Sequence, residues 1–191
     1  MTVLGKRDIQ SGIVDDSPPL VQRDDGRLAI EPASLDVHLA DTLLIEAEMG
    51  RPIDVTDEDT YPDYYERKMQ DGYTIDSRSF VLATTEETVT LPNGIVGYLH
   101  GRSSVGRLGM FIENAGLIDP GYGYGSGGNE ITLELFNASG NAIRLQEGMK
   151  IGQLTFHRVE TAPSVGYSKH NGNKYNEQCG PTPSRLWEDF E

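Results

Sequence analysis

From Ser79 onward, apolar and polar residues alternate in short runs. Phe80–Thr85 and Glu87–Leu91 form two such runs, the second closing on the Pro92-Asn93-Gly94 turn. Ile95–Leu99, Met110–Ile112, Glu130–Phe136, Ala142–Leu145 and Met149–Phe156 continue the pattern. A period of two residues is that of a strand with one face buried. Gly, Pro and Asn punctuate the runs at roughly the 8–12-residue spacing of a β-sandwich or barrel. Upstream, Ala33–Leu39 alternates as a half-buried strand, Lys6–Gly12 reads as a short helix, and Asp15–Gly26 as a polar loop. Residues 46–77 are charged, proline-broken and tyrosine-bearing, and read as an insertion or flap over the sheet with no regular elements assigned. The segment 168–191 is a polar tail ending near Leu186-Trp187, which either dangles or closes over a partner. The expectation is an all-β chain with a few short helices, and its 191 residues suit a single domain over 1–191.

Composition narrows the function classes. Cys179 is the only cysteine, which excludes an internal disulfide framework and fits a reducing cytosol. No apolar run approaches the roughly 20 residues of a membrane helix, and Met1–Gln10 carries charges without an apolar signal core. A cytoplasmic location with no membrane partner is therefore expected. The net charge of −14 argues against a general nucleic-acid binder, which needs a basic face. Such an acid excess suits either a salt-adapted cytoplasm or an ordinary acidic protein. An acidic chain that binds a polyphosphate needs a local cationic pocket, a metal ion, or both.

Candidate chemistry is sparse and local. Zinc nucleobase deaminases pair His-x-Glu with Pro-Cys-x-x-Cys; one cysteine and the scattered His38, His100, His157 and His170 do not supply that set, so no zinc is expected. Gly123-Tyr-Gly-Ser-Gly-Gly128 matches a dinucleotide fingerprint in letters only, because it precedes a strand pattern and reads as a hairpin loop. His100–Gly109 differs: Arg102 and Arg107 flank Ser103, Ser104 and Gly106. Arginine forks, hydroxyls and exposed backbone N–H groups suit phosphate oxygens, although the same letters also describe a solvated surface loop. Asp119, in Leu117-Ile-Asp-Pro-Gly121, is either a turn residue bonding its own backbone or a site carboxylate. Glu134 shares a strand face with Thr132 and Phe136, opposite Ile131, Leu133 and Leu135. That face is either solvent or the wall of a polar pocket, where a carboxylate can act as general acid/base.

Four ordered segments together resemble the motifs of the deoxyuridine triphosphatase superfamily. They are Gly101-Arg-Ser-Ser-Val-Gly-Arg107, Gly116-Leu-Ile-Asp-Pro-Gly121, Thr132-Leu-Glu-Leu-Phe-Asn137 and Gly148-Met-Lys-Ile-Gly-Gln-Leu154. Ile30–Leu39 and Lys174–Arg185 are similar to the deoxycytidine triphosphate (dCTP) deaminases in particular, a family that includes a type with added triphosphatase (dUTPase) activity that forms dUMP. The resemblance implies a distorted β-barrel, jelly-roll-like subunit in a homotrimer with active sites between subunits. It implies dCTP or dUTP as ligand, Mg²⁺ carried on the triphosphate rather than on the protein, and feedback by dTTP. By motif position, Arg102, Ser103, Ser104, Val105, Gly106 and Arg107 hold phosphates and assist catalysis. Asp119 contacts the deoxyribose region, Thr132, Leu133 and Glu134 face the base, Gln153 contacts substrate, and Tyr167, Lys174 and Gln178 close the tail over it.

Glu134 selects the deaminating branch, because plain dUTPases resemble this strand but carry an apolar residue there. Exchange of a cytosine 4-amino group for water needs a proton shuttle, and Glu134 with Ser103 and Arg107 suits that task without zinc. Asp119 followed by Pro-Gly-Tyr122 resembles the triphosphatase site, so release of dUMP and diphosphate is an open second activity. Two features depart from the pattern: Glu113-Asn114 stand where deaminases more often show His-Thr, and 121–129 is lengthened. A pure dUTPase and a non-catalytic nucleotide-binding regulator are the alternatives.

Overall fold

The computed structural model describes residues 2–11, 20–113, 116–167, 172–175 and 177–190. Its elements run β1 (Thr2–Val3), α1 (Lys6–Ile9), β2 (Val21–Gln22), β3 (Ala29–Ile30), β4 (Leu35–His38) and β5 (Thr42–Glu46). There follow β6 (Tyr64–Lys68), β7 (Tyr73–Ile75), β8 (Phe80–Val89), β9 (Ile95–Gly101), α2 (Ser103–Gly106) and β10 (Met110–Glu113). The last are β11 (Leu117–Ile118), β12 (Asn129–Asn137), β13 (Ile143–Leu145) and β14 (Lys150–Arg158), with 3₁₀ turns at Glu58–Thr60 and Leu186–Phe190. One sheet has the order β11-β9-β14-β4-β3 with β1 on β14, and a second the order β10-β12-β8-β5-β6 with β2 on β8. β13 and β7 pair separately. The expected all-β architecture with a few short helices is observed, and no helix among the described residues is long and apolar enough to cross a membrane.

Strand alternation builds the core. Along β12, Ile131, Leu133 and Leu135 are buried while Glu130, Thr132, Glu134 and Phe136 face outward. β8 contributes Val81 and Ala83, β14 contributes Leu154 and Phe156, and β4 contributes Leu35 and Val37 to the same apolar cluster. Each such Leu or Phe contributes about 1.5–3 kcal/mol on leaving water.

The two large sheets are tied where β8 leaves its regular register. Between Glu130 and Thr132 of β12, pairing jumps from Thr88 to Thr84, so β8 carries the extra residues. Thr85 turns towards β4: it bridges Leu39, and its hydroxyl accepts from Ile131 N (3.1 Å) and donates to Glu87 O (2.7 Å). Glu87 is fully buried, accepts from His38 N at 2.8 Å, and lies 2.6 Å from His38 Nδ1. Arg23 joins the group through Glu86 at 2.6 Å. A carboxylate can be buried here because the His38 N–H and the nearby Arg23 cation offset its lost hydration, against the like charge of Glu86.

Three expectations need revision. Residues 46–77 contain regular structure: β6 pairs with β5 from Thr42↔Lys68 to Glu46↔Tyr64, and β7 pairs with β13. β6 is an exposed edge strand with charged side chains, so no apolar alternation marked it. Phe80–Val89 is one strand with a register shift rather than two separate strands. The first helix ends at Ile9, while Gly12 and the first part of the Asp15–Gly26 loop lie outside the described residues.

Leu133 is fully buried and its side chain points into the core, away from the face shared by Thr132 and Glu134. Any part it plays towards a ligand belongs to its backbone. Leu133→Ala is expected to cost about 2–5 kcal/mol by leaving a cavity between the sheets, measured as a lowered midpoint in denaturant unfolding.

Candidate active site

The outer face of β12 forms one wall of a cavity of about 420 Å³, lined by Leu82, Ile118, Asp119, Tyr122, Thr132, Glu134, Tyr167, Tyr175, Gln178 and Thr182 among others. Glu134 lies opposite Leu82 on β8 and Glu113 on β10. Its Oε2 is buried and has no hydrogen-bond partner. Burial pushes the carboxyl up to about 7 from the usual 4.5. The Glu113 carboxylate raises it further, against a lowering hydrogen bond from its own backbone N–H. A carboxyl divided between its two forms near neutrality can take a proton and return it.

Tight backbone contacts shape the opposite wall. In Asp119-Pro-Gly121, Asp119 O accepts from Tyr122 N (3.2 Å) and Gly121 N donates to Leu91 O (2.9 Å). Gly121 has φ +94°, and a Cβ there would lie 2.5 Å from Tyr167 N. Pro120 O accepts from that same N–H at 2.6 Å. This packing seats the Tyr167 ring 5.6 Å from the Tyr122 ring. Asp119 is exposed at the mouth, where it also lines an adjoining cavity of about 210 Å³.

The tail is docked over this cavity rather than dangling. Gln178 accepts from Glu130 N through its carbonyl (3.2 Å), its Oε1 lies 3.0 Å from the Tyr122 hydroxyl, and its Nε2 reaches Thr132 Oγ1 at 3.5 Å. Thr182 N donates to the same Thr132 oxygen (3.1 Å), and Gly180 N donates to Glu130 Oε2 (2.8 Å). Farther on, Lys174 pairs with Asp189 at 2.5 Å, and Trp187 meets Tyr61 edge-on at 4.8 Å. Residues 168–171 and 176, part of the expected tail, lie outside the described residues, as does Asn114 of the Glu113-Asn114 pair.

The expected site residues fall into two groups. Asp119, Thr132, Glu134, Tyr167 and Gln178 share the cavity. Arg102, Ser103, Ser104, Val105, Gly106 and Arg107 lie at the end of β9 and on α2, and none of them lines that cavity. The segment is a helical turn with Val105 buried and Ser103, Ser104 and Arg107 exposed. Gln153 belongs with this second group, its Nε2 donating to Asp36 Oδ1 at 3.1 Å. Lys174 is held by Asp189 instead of facing the cavity.

Sequence reasoning assigned no role to Tyr175, Thr182 and Asp36, and named Tyr122 only as part of the Asp119 motif. Asp36 occupies a polar position of a stretch read as a half-buried alternating strand, so nothing in the alternation announced its burial. The Thr182 role is carried by a backbone N–H and left no signal.

Two antiparallel sheets, a titratable carboxyl in a tail-covered cavity and a separate Arg/Ser turn define an all-β protein with a pocketed acid. The sequence is more specific: residues 6–159 match the dCTP deaminase-like family, and the chain belongs to that family. It is 39% identical over 168 residues to a protein of Sulfurihydrogenibium sp. named dCTP deaminase, dUMP-forming, covering 85% of this chain and 86% of the relative. A protein of the same name from Dictyoglomus thermophilum is 35% identical over 192 residues, covering 98% and 96%. A Haloarcula marismortui protein named dCTP deaminase is 37% identical over 173 residues, covering 88% and 86%. The fold is shared with the 2'-deoxycytidine 5'-triphosphate deaminase of Agrobacterium tumefaciens (TM-score 0.61, 20% identity), over 82% of this chain and 47% of that one. This chain thus spans about half the length of that structure.

Removing the charge opposite Glu134 tests the electrostatics. In Glu113→Gln the carboxyl of Glu134 is expected to titrate below its value of about 7, because a like charge no longer disfavours ionisation; carboxyl-carbon NMR reads this directly. The folded value exceeds the unfolded one, so the contribution of Glu134 is fully present below about pH 4.5 and is lost as pH rises through about 7. Glu134→Gln should flatten the stability profile across that window in denaturant titrations.

Gly121→Ala tests the far wall. It is expected to destabilise by about 1–3 kcal/mol from backbone conformation alone. Because the added carbon meets Tyr167 N, thermal melts should fall and the Tyr122–Tyr167 contact should be displaced.

Proposed function

We propose that this chain removes the 4-amino group of dCTP by hydrolysis without a zinc ion, and that the uracil nucleotide is carried on to dUMP and diphosphate. The observation that carries this reading is Glu134: half-buried, its Oε2 unpartnered, and poised near neutrality on the wall of the tail-covered cavity. Membership of the dCTP deaminase-like family and the names of the Sulfurihydrogenibium and Dictyoglomus relatives support both the substrate and the product.

In the proposed reaction a water attacks C4 of the cytosine ring. Glu134 carboxylate accepts a proton from that water as the C–O bond forms, giving a tetrahedral intermediate. Glu134, now protonated, delivers the proton to the amine, the C–N bond breaks, and ammonia leaves. Thr132 and Gln178 are placed to face the ring, and Tyr122 and Tyr167 to pack against the sugar end. Asp119, at the junction of the two cavities, is the group proposed to orient water for cleavage of the triphosphate.

Ser103 and Arg107 are exposed and outside the cavity of their own chain, which supports a site completed by a second subunit of a homotrimer. A row of phenylalanines supports the same arrangement. Phe111, Phe136 and Phe80 are register neighbours across β10, β12 and β8, lie on the outer face with Glu134, and are 58%, 40% and 37% exposed. Such a contiguous aromatic strip beside a polar pocket fits burial against another copy of the chain.

The donors around Arg102 and Ser103 are cations and hydroxyls. That set fits phosphate oxygens, and Mg²⁺ is proposed to arrive on the triphosphate with phosphate oxygens and water as its ligands. The ion would neutralise phosphate charge. Among the described residues no group of three or more His, Cys, Asp or Glu is arranged to hold a metal.

Incubation with dCTP and Mg²⁺, followed by chromatography, is expected to give ammonia, dUMP and diphosphate; absence of ammonia and of every uracil nucleotide would overturn the reading. Glu134→Gln should lower ammonia release by at least about 10²–10⁴-fold while dCTP still binds. Mixing inactive Glu134→Gln subunits with inactive Arg107→Ala subunits should restore part of the activity. Mixed trimers that stay inactive would place both residues in one subunit's site.

A further inference from the structure

Asp36 is fully buried on β4, yet three donors from two other segments converge on it. Lys150 Nζ lies 2.8 Å from Oδ2, Gln153 Nε2 lies 3.1 Å from Oδ1, and Arg102 Nη1 pairs with the same Oδ2 as Lys150. The strands explain the convergence. β14 lies between β4 and β9, with Gln153 opposite Asp36 on one side and His100 on the other. Lys150 and Gln153 are three residues apart, so plain alternation would send them to opposite faces. The register shift between Lys150 and Gly152 corrects this and brings both to Asp36. Arg102 follows β9 directly and caps α2, with its N–H towards Ile151 O at 3.4 Å.

Charge adds a second argument. One cation would neutralise a buried carboxylate; here two share a single oxygen, so the cluster keeps an excess positive charge in a chain whose net charge is −14. Burial opposes ionisation of Asp36, but the hydrogen bonds from Lys150 and Gln153 and the Arg102 cation outweigh it and hold the carboxyl below its usual range. The cation heads are held without being sealed: Arg102 Nη1 is buried against Asp36 as an ion pair with no aligned hydrogen bond, while the Arg102 and Lys150 side chains remain 27% and 43% exposed. Ser103 and Ser104 follow Arg102 directly in the chain and are exposed.

We propose that Asp36 is a positioning residue that presets Arg102 and Lys150 side by side, and that Lys150 is a further phosphate-binding residue of the triphosphate clamp. This rests on the reading of Arg102–Arg107 as that clamp. A fixed pair of cations loses little side-chain freedom when a polyphosphate arrives, and Arg102 keeps the planar fork that two phosphate oxygens can share. Lys150 supplies a point charge beside it.

Calorimetry of the full-length protein with inorganic tripolyphosphate and, separately, with deoxycytidine tests the assignment, because neither is turned over by the proposed deamination of dCTP. Asp36→Asn and Lys150→Met are each expected to weaken tripolyphosphate about ten- to a hundred-fold, the loss of one charge-assisted contact, and to leave deoxycytidine binding unchanged. In steady-state assays both should raise KM for dCTP while the pH dependence of kcat, set by Glu134, stays in place. Equal weakening of both ligands in Asp36→Asn would make Asp36 a structural residue and overturn its positioning role. Lys150→Met changes a part-exposed side chain and carries the test if Asp36→Asn does not fold; tripolyphosphate binding like the wild type in Lys150→Met overturns the Lys150 contact. Wild-type protein that turns over dCTP but ignores tripolyphosphate overturns the inference alone. Wild-type protein that does neither overturns the functional reading with it.

Discussion

The excursion of β8 at Thr85–Glu87 is the constraint on which the rest of the structure depends. There β8 stops pairing regularly with β12 and reaches across to β4, where Glu87 binds the backbone and ring of His38 and Thr85 bridges Leu39. Glu87 is fully buried, so removing its donors would leave a charge without solvent, a cost of several kcal/mol. The same excursion fixes how β12 resumes its pairing. Thr132 meets Thr84 and Glu134 meets Leu82, which leaves Thr132 and Glu134 outward and Leu133 inward. A slip of one residue would bury Glu134 in the core and expose Leu133. The register that joins the sheets is thus also the register that presents the acid.

Glu134 gains its chemistry from what surrounds it rather than from a partner. Leu82, Ile118 and the docked tail exclude water, and Glu113 supplies a like charge from the neighbouring strand. Both act against ionisation, and the outcome is a carboxyl near 7 with one unpartnered oxygen. Asp36 has the opposite environment. It is more deeply buried by exposed area, yet two cations and an amide hold it ionised. Two acids of one fold are therefore set for different tasks, one to exchange a proton and one to keep its charge.

Much of this was legible in the alternation of apolar residues. The inward set of β12, the outward placement of Glu134, and the loop character of Gly123–Gly128 follow from period and turn chemistry alone. The illegible parts lacked an apolar signature. β6 is an exposed edge of Tyr, Glu, Arg and Lys that forms because β5 offers it a ladder. Glu87 interrupts the pattern of β8 because its burial is compensated by groups remote in sequence. Lys150 fell within the Gly148–Leu154 motif but received no role there, because its meeting with Asp36 depends on a bulge, which composition and spacing do not announce.

The separation of the two site groups within one chain follows from the same topology. The Arg102–Arg107 turn issues from β9 in the first sheet, whereas Glu134 lies on β12 in the second, where the tail residues Gln178 and Thr182 reach Thr132. A polyphosphate ligand spanning both would have to cross between sheets of one subunit or between subunits. The phenylalanine row across β10, β12 and β8 favours the second route, because it flanks Glu134 on the outer face and leaves an apolar strip that water solvates poorly. Covering that strip would also remove solvent from the side of Glu134 that faces it. Association and the tuning of the acid would then be one event: the contact that completes the phosphate clamp would deepen the burial that keeps Glu134 near neutrality.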